Sequence, residues 1–456
     1  MLEDTIIAIS TPPGIGGLGV VRLSGPEAMK IARKIFEPKE RVGRPFPPRR
    51  AVLGVIRESP GGDALDEAFL IYFKAPRSYT GEDVVELSGH GSPAVLEEIV
   101  RLGTKGGARP ALRGEFTLRA HLNGRLDMLQ AEAVNDLIRA ASLSQARVSF
   151  RQLSGSLSRR LARLRRGLVR LAARLEAAIE FPEESLRAGG GGLRRALERP
   201  MADVRELVAG YEAGRALAEG LTMAITGRTN VGKSTLFNAL LGERRALVTP
   251  YPGTTRDYLR ERLVVEDFVF NLVDMAGLGR AAHPVEKIGV ARSGRIAREA
   301  DGLLIVLDAS RKETAEDEGL LRRFRDKKKL VVLNKTDLPV TIDRANVERL
   351  AGGAHLVEVS ALKGRNIDGL RKGLLKTMAP IRADRDDVVL HARQRDILRD
   401  ILHGLERAAA LIDAGHSEEL CAEEIRKALD LVGRLTGEVR VDEVLEDVFG
   451  RFCVGK

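Results

Sequence analysis

At 456 residues the chain is long enough for about three domains, and its 44% hydrophobic content marks a globular rather than a disordered protein. A formal net charge of +10 favours a polyanionic partner, while 4% aromatics and no Trp argue against a base-stacking surface. The two cysteines, Cys421 and Cys453, form no CxxC pair, so neither a disulfide framework nor a structural zinc site is expected, and a reducing compartment fits.

The start, MLEDTII, lacks a basic region followed by an apolar run. No stretch approaches the ~18–20 apolar residues of a membrane span, so a cytoplasmic protein without membrane contact is expected. DTIIAIS, GVVRLSG, AVLGVIR and AFLIYF read as strands, and SPAVLEEIVRLGTKG has helical spacing. From about Arg119 the pattern turns helical. Leu157, Leu161, Leu164, Leu168, Leu171 and Leu175 recur at spacings of four and three, the buried stripe of an amphipathic helix. Ten arginines and no acidic residue lie between Arg139 and Leu175. They form either a solvated face or, if they cluster on one side, a phosphate-facing one. A second helix is expected over roughly 193–219, after the glycine run 189–192. LTMAIT, FVFNLVDM, GLLIVLDA, KLVVLN and LVEVS then alternate with helices over 221–378, which predicts an α/β domain with a largely parallel sheet. Helices return after residue 380, so the α/β domain interrupts a helical one.

Gly227-Arg-Thr-Asn-Val-Gly232-Lys233-Ser234 fits GxxxxGKS between the strand LTMAIT and the helix STLFNALLG. Glycines let the backbone wrap phosphates, and N–H groups at a helix start donate to the anion. Lys233 would reach the β- and γ-phosphates and Ser234 would ligate Mg²⁺, with Asn230, Val231, Gly232 and Thr235 completing the cradle. Gly253-Thr254-Thr255-Arg256-Asp257 follows, with Thr255 placed for Mg²⁺ and the γ-phosphate. Asp274-Met275-Ala276-Gly277 ends FVFNLVDM, putting Asp274 near the metal and the Gly277 N–H near the γ-phosphate. Asn334-Lys335-Thr336-Asp337 ends KLVVLN. The Asp337 carboxylate can accept from both guanine N1–H and N2–H₂, which adenine does not offer. Ser360-Ala361-Leu362 would back the base. These ordered motifs point to a Ras-like P-loop GTPase.

Ras-type GTPases place a water-orienting Gln after DxxG; Leu278 stands there and cannot orient water. Asn230 could hold a monovalent cation beside the β–γ bridging oxygen, supplying the charge of an arginine finger. A formal GxGxxG at Gly14–Gly19 precedes a strand rather than a helix and does not indicate a dinucleotide site.

With GRTNVGKS, GTTRD, SYTGEDVVELSGHG, RGEFTLRAHLNGRLDMLQAEAVNDLI and the terminal Cys453-Val-Gly-Lys456 together, the whole chain resembles the MnmE (TrmE) family of tRNA-modification GTPases. The resemblance implies a multidomain α+β and α/β protein: an N-terminal tetrahydrofolate-binding and dimerisation domain (1–118), a helical domain in two parts (119–219 and 380–456), and an inserted G domain (220–379). It implies a homodimer, G domains that pair around K⁺, and an FAD-containing partner, MnmG. Together they would install an aminomethyl-type group at C5 of the tRNA wobble uridine, using 5-formyl- or methylene-tetrahydrofolate.

Asn230, Thr249, Tyr251 and Thr254 match the family's K⁺ ligands, within a loop whose Pro250, Pro252 and Gly253 line the nucleotide. Glu286 matches the glutamate that orients the attacking water. Arg22, Glu86, Arg125 and Lys456 match the folate positions, and Cys453 matches a cysteine needed for modification. The switch stretch departs from the family pattern, with DMAGLG in place of DTAGLR. Two readings stay open: an enzyme of folate-dependent modification, or an assembly switch whose chemistry resides in the partner.

Overall fold

The computed structural model describes residues 4–40, 46–59, 61–180, 190–242, 260–274, 296–378, 389–439, 445, 448–450 and 452–456. The chain divides into two compact units, one of Met1–Asn135, Gln152–Arg205 and Asp396–Lys456, the other of Asp136–Arg151 and Glu206–Arg395.

Alternating apolar and polar residues form strands early in the chain: β1 (Ile6–Ile9), β2 (Gly16–Ser24), then, after helix α1 (Ala28–Ile35), β3 (Phe36–Pro38), β4 (Ala51–Arg57), β5 (Ala64–Phe73) and β6 (Val84–Gly91). Helix α2 (Pro93–Lys105) and the short β7 (Arg109–Pro110) follow. They make a seven-stranded sheet in the order β3-β4-β5-β6-β2-β1-β7. The period of two turns Val21, Leu23, Val52, Ile56, Leu70, Val85 and Leu87 to one face, where Ile31 and Ile35 of α1 and Leu96, Ile99 and Leu102 of α2 cover them. The glycines at 14–19 lead into β2, not into a helix, so the dinucleotide motif is formal only.

The helices α3 (Glu115–Leu122), α4 (Met128–Arg139), α5 (Leu143–Leu153) and α6 (Ser156–Glu180) come next. The six stripe leucines of α6 are all buried, each worth about 2 kcal/mol of transfer free energy. The expected single helix over 193–219 is two, α7 (Gly190–Ala209) and α8 (Tyr211–Ala218), separated at Gly210.

The α/β domain then runs β8 (Leu221–Thr226), α9 (Lys233–Leu241), β9 (Arg260–Val265), β10 (Phe268–Asp274), β11 (Gly302–Asp308), α10 (Ala315–Arg323), β12 (Lys329–Asn334), α11 (Arg344–Leu350), β13 (His355–Glu358) and α12 (Ile367–Met378). Sheet order is β13-β12-β11-β8-β10-β9, parallel except for the antiparallel edge strand β9. Helices on both faces explain why β12 is buried throughout. Strand β9 escapes the sequence reading because its turn into β10 is Glu266-Asp267, with Glu266 at φ 52°, rather than a glycine turn.

Two long helices follow, α13 (Ala392–Asp413) and α14 (Glu418–Thr436); α14 packs along α6, and its Ile425, Ala428 and Val432 are buried. The architecture is thus an N-terminal α+β domain, a helical domain and a Ras-like P-loop α/β domain. No helix among the described residues is long and apolar enough to cross a membrane.

Candidate functional site

In a parallel sheet with helices on both faces, loops at the carboxyl ends of the strands converge on one edge. Here β8, β11 and β12 end at Thr226, Asp308 and Asn334, and the register pairs Asp308 with Asn334 and Asp274 with Ile225. The loop from Gly227 to Gly232 then feeds the first turn of α9. Asn230 takes a left-handed conformation at φ 62°, and Gly232 does so at φ 92°. A side chain at Gly232 would place Cβ 2.4 Å from the Asn334 amide nitrogen, so only glycine lets the loop pass this close to β12. The Lys233 ammonium arches back over the loop and donates to the carbonyls of Gly227 (2.8 Å) and Arg228 (2.5 Å). Ser234 and Thr235 stand exposed in the first turn, and Val231 is buried beneath them.

The other end of the site is organised by Asn334, which is 2% exposed. Its Nδ2 donates to the Val231 carbonyl (2.9 Å), and its Oδ1 accepts from the Ala361 N–H (3.0 Å). Asn334 therefore ties the phosphate loop to the Ser360–Leu362 loop, and its polar atoms are turned to protein. Lys335, at φ 68°, donates from Nζ to the Asn230 carbonyl (2.7 Å) and to Asp308 Oδ2 (2.6 Å). Burial raises the Asp308 pKa, but hydrogen bonds from Lys335 and Ser310 outweigh it and hold the carboxyl below the usual range.

Asp308 is the residue that sequence reasoning missed; the available signal was an acid closing the apolar strand GLLIVLD. Buried Ser360 donates from Oγ to Asp337 Oδ1 (2.6 Å), which lowers the Asp337 pKa and fixes the plane of its carboxylate. Leu362 is 74% exposed beside this loop.

The structure thus brings together Asn230, Val231, Gly232, Lys233, Asn334, Lys335, Asp337, Ser360 and Ala361 at one sheet edge. Asp274 ends β10 on the same side of the sheet. Thr249, Pro250, Tyr251, Pro252, Gly253, Thr254, Thr255, Met275, Ala276, Gly277, Leu278 and Glu286 lie outside the described residues.

A second group of polar residues forms in the N-terminal sheet. Arg22 of β2 and Glu86 of β6 are register partners, joined through Arg22 Nε (2.9 Å) and its terminal nitrogen (2.7 Å). The guanidinium also lies 5.7 Å from the ring centroids of both Tyr79 and Phe116. The C-terminal tail closes on this place. Val454 bridges Arg113, the Gly114 N–H donates to the Cys453 carbonyl (3.4 Å), and Ser10 Oγ donates to the Gly455 carbonyl (3.2 Å).

Gly455, at φ 94°, would carry a Cβ 2.1 Å from the Ile9 carbonyl, so the tail docks only as glycine. Burial and then the Arg22 charge push the Lys456 pKa down, while Glu86 and Cys453 oppose them. Arg22, Glu86, Cys453 and Lys456 are therefore neighbours across more than 400 residues of sequence. Arg125 is exposed in the turn after α3, its stem alongside Gly81.

Sequence comparison supplies relatives for both places. The family model described as the MnmE helical domain matches residues 128–453, and that described as the GTP-binding protein TrmE N-terminus matches residues 5–125. Among curated proteins, the "tRNA modification GTPase MnmE" of Natranaerobius thermophilus is 39% identical over 459 residues, covering 100% of both chains. The protein of that name from Aquifex aeolicus is 40% identical, again over 100% of both. That of Thermotoga maritima is 38% identical over 99% of this chain and 100% of its own.

Proposed function

This chain belongs to the MnmE family of tRNA-modification GTPases, and from that premise we propose that it is a K⁺-activated GTPase. With an FAD-containing MnmG partner, its cycle would serve formation of the carboxymethylaminomethyl-type group at C5 of the tRNA wobble uridine, drawing a one-carbon unit from tetrahydrofolate. The observation that carries the GTPase part is the bracket made by Asn334, which sets the Lys233 loop and the Asp337–Ser360 pair at opposite ends of one site.

In this reading Lys233 leaves its loop carbonyls for the β- and γ-phosphates, and N–H groups of Val231 to Thr235 receive the phosphate oxygens. The exposed Ser234 hydroxyl and Thr255 are the hard oxygen donors that suit magnesium. Asn230, exposed in the left-handed turn of the loop, joins Thr249, Tyr251 and Thr254 in holding potassium. When bound, the two cations would neutralise the charge that develops on the transferring phosphoryl group. Glu286 positions the attacking water, the task that Leu278 cannot perform. At the N-terminal site, Arg22, Glu86, Arg125 and Lys456 hold the folate, with Cys453 beside them. Two copies of the chain act as a homodimer in the cytoplasm, with residues 1–118 of each as the folate domain, 119–219 and 380–456 as the helical domain, and 220–379 as the G domain.

GTP turnover by the full-length protein, compared in KCl and NaCl at equal ionic strength, tests this reading. Turnover should be at least about tenfold faster in K⁺, with the ~10³–10⁵ that an arginine finger contributes elsewhere as the ceiling. Equal rates would remove the cation from the mechanism. Glu286→Ala should bind GTP normally and lose the K⁺-stimulated turnover.

A further inference from the structure

The arginine-rich stretch of the sequence resolves, in α6, into a one-sided row. Arg163, Arg166, Arg170 and Arg174 recur at spacings of three and four, and all four are exposed. At 3.6 residues per turn they lie roughly opposite the buried leucines 157, 161, 164, 168, 171 and 175. We propose that this row is a docking strip for the phosphate backbone of the RNA substrate, an inference that rests on tRNA being the substrate.

Three observations carry it. First, the row is uncompensated among the described residues. Four other surface cations of the same unit do have acidic partners: Arg165 with Glu438 (3.1 Å), Arg426 with Glu176 (3.2 Å), Lys427 with Glu423 (2.8 Å) and Arg434 with Asp430 (2.8 Å). Among the described residues the four arginines of the row have no ion pair or hydrogen bond. No acid stands three or four positions from any of them on the helix. Like charges at this spacing destabilise a helix, so the free protein keeps a self-repelling row that a polyanion lying along it would relieve.

Second, every member is Arg and none is Lys. The guanidinium fork binds a phosphate through two parallel N–H groups, and it is more weakly hydrated than an ammonium. The row is about 16 Å long at 1.5 Å per residue. A duplex carries one backbone charge per roughly 1.7 Å of its axis, so each guanidinium can meet a phosphate.

Third, the alternative of an anionic membrane lacks its second requirement. An interfacial helix must insert an apolar face into lipid. The apolar face of α6 is already buried in protein, and the arginine side offers only Val169, 44% exposed.

The experiment uses the full-length protein and an unmodified tRNA transcript carrying a wobble uridine, with binding followed by fluorescence anisotropy across a KCl titration. Replacing all four arginines (Arg163→Gln, Arg166→Gln, Arg170→Gln, Arg174→Gln) should lower the slope of log K against log salt by about 3. It should weaken binding at least tenfold near 0.1 M salt, since each lost phosphate contact removes about 0.7–0.9 of slope. The corresponding four-lysine variant should keep most of the slope and bind more weakly. Arg166→Gln with Arg170→Gln alone should lose about half the slope change. GTP turnover without tRNA should stay at the wild-type value in all three, which also reports correct folding.

Equal affinity and slope in the four-glutamine variant would overturn the strip while leaving the tRNA reading intact. Failure of the wild-type protein to bind the transcript at all would overturn both. A variant that binds tRNA normally but loses binding to vesicles containing phosphatidylserine would assign the row to lipid and also overturn the proposal.

Discussion

Asp337→Asn is expected to weaken GTP binding by roughly two to three orders of magnitude and to make xanthosine triphosphate the preferred nucleotide. Ser360 Oγ donates to one carboxylate oxygen of Asp337 at 2.6 Å, so the group is oriented before any base arrives. In the proposed site that carboxylate accepts from N1–H and N2–H₂ of guanine. Hydrogen bonds to a charged acceptor contribute about 1.5–3 kcal/mol each, and every 1.4 kcal/mol is tenfold in affinity. Asparagine turns one acceptor into an N–H₂ donor, which faces the guanine amino group but matches the carbonyl that xanthine carries there. Competition binding of the two nucleotides to the variant measures the exchange. Unchanged GTP affinity would take Asp337 out of base recognition.

The second large effect is expected at Arg119, in the N-terminal part of the chain. This side chain is 1% exposed on α3. It donates to the Asp4 carbonyl (2.8 Å) and carboxylate (2.7 Å), to Glu115 (3.0 Å) and towards Glu82 (3.2 Å). Arg109 adds a second cation against Asp4 and Glu115. Arg119→Met would leave three carboxylates facing one another around one lost charge. Breaking such a buried network costs about 3–5 kcal/mol, and the lower end applies because Asp4 is partly exposed. Hydrogen exchange of the β1 and α3 amides should accelerate in proportion, and unchanged protection would refute the role.

The pH dependence follows from the carboxylates. Burial raises the pKa values of Asp4 and Glu115, but the arginines outweigh it, so both sit below their usual range. Groups with depressed pKa stabilise the fold above their unfolded values, near 4, and that contribution disappears as pH falls through the folded values. The wild-type protein should therefore lose protection in this region in acid. The variant's deficit should shrink as pH falls from 7 towards 4, because protonation relieves the repulsion among carboxylates left with Arg109 as their one remaining cation.

The described part of the candidate nucleotide site is made of local motifs, and that is why their places were legible. GxxxxGKS, NKxD and the Ser360–Leu362 loop each sit at a strand end, where the period of two stops and a turn begins, and the structure sets all three at one edge. The leucine stripe of α6 was legible for the same reason, and the arginine row was legible as composition before it was legible as a face. What pairing decides was not. Arg22 and Glu86 meet because β2 and β6 align in one register, 64 residues apart, and no local pattern records that. Asp308 reads as an ordinary strand-ending acid until Lys335 is seen against it. Asn334 reads only as part of the NKxD motif, and that its two buried hydrogen bonds tie two loops together is visible only in the fold. Strand β9 was hidden because edge strands need less apolar character, and its turn has no glycine.

In the proposed function, GTP turnover in this protein serves chemistry on the tRNA wobble uridine. Mass spectrometry of tRNA nucleosides from cells lacking this gene tests it most directly. The expected result is loss of the C5 aminomethyl-type side chain at the wobble position, restored when the wild-type gene is returned. An unchanged nucleoside profile in cells without the gene would contradict it.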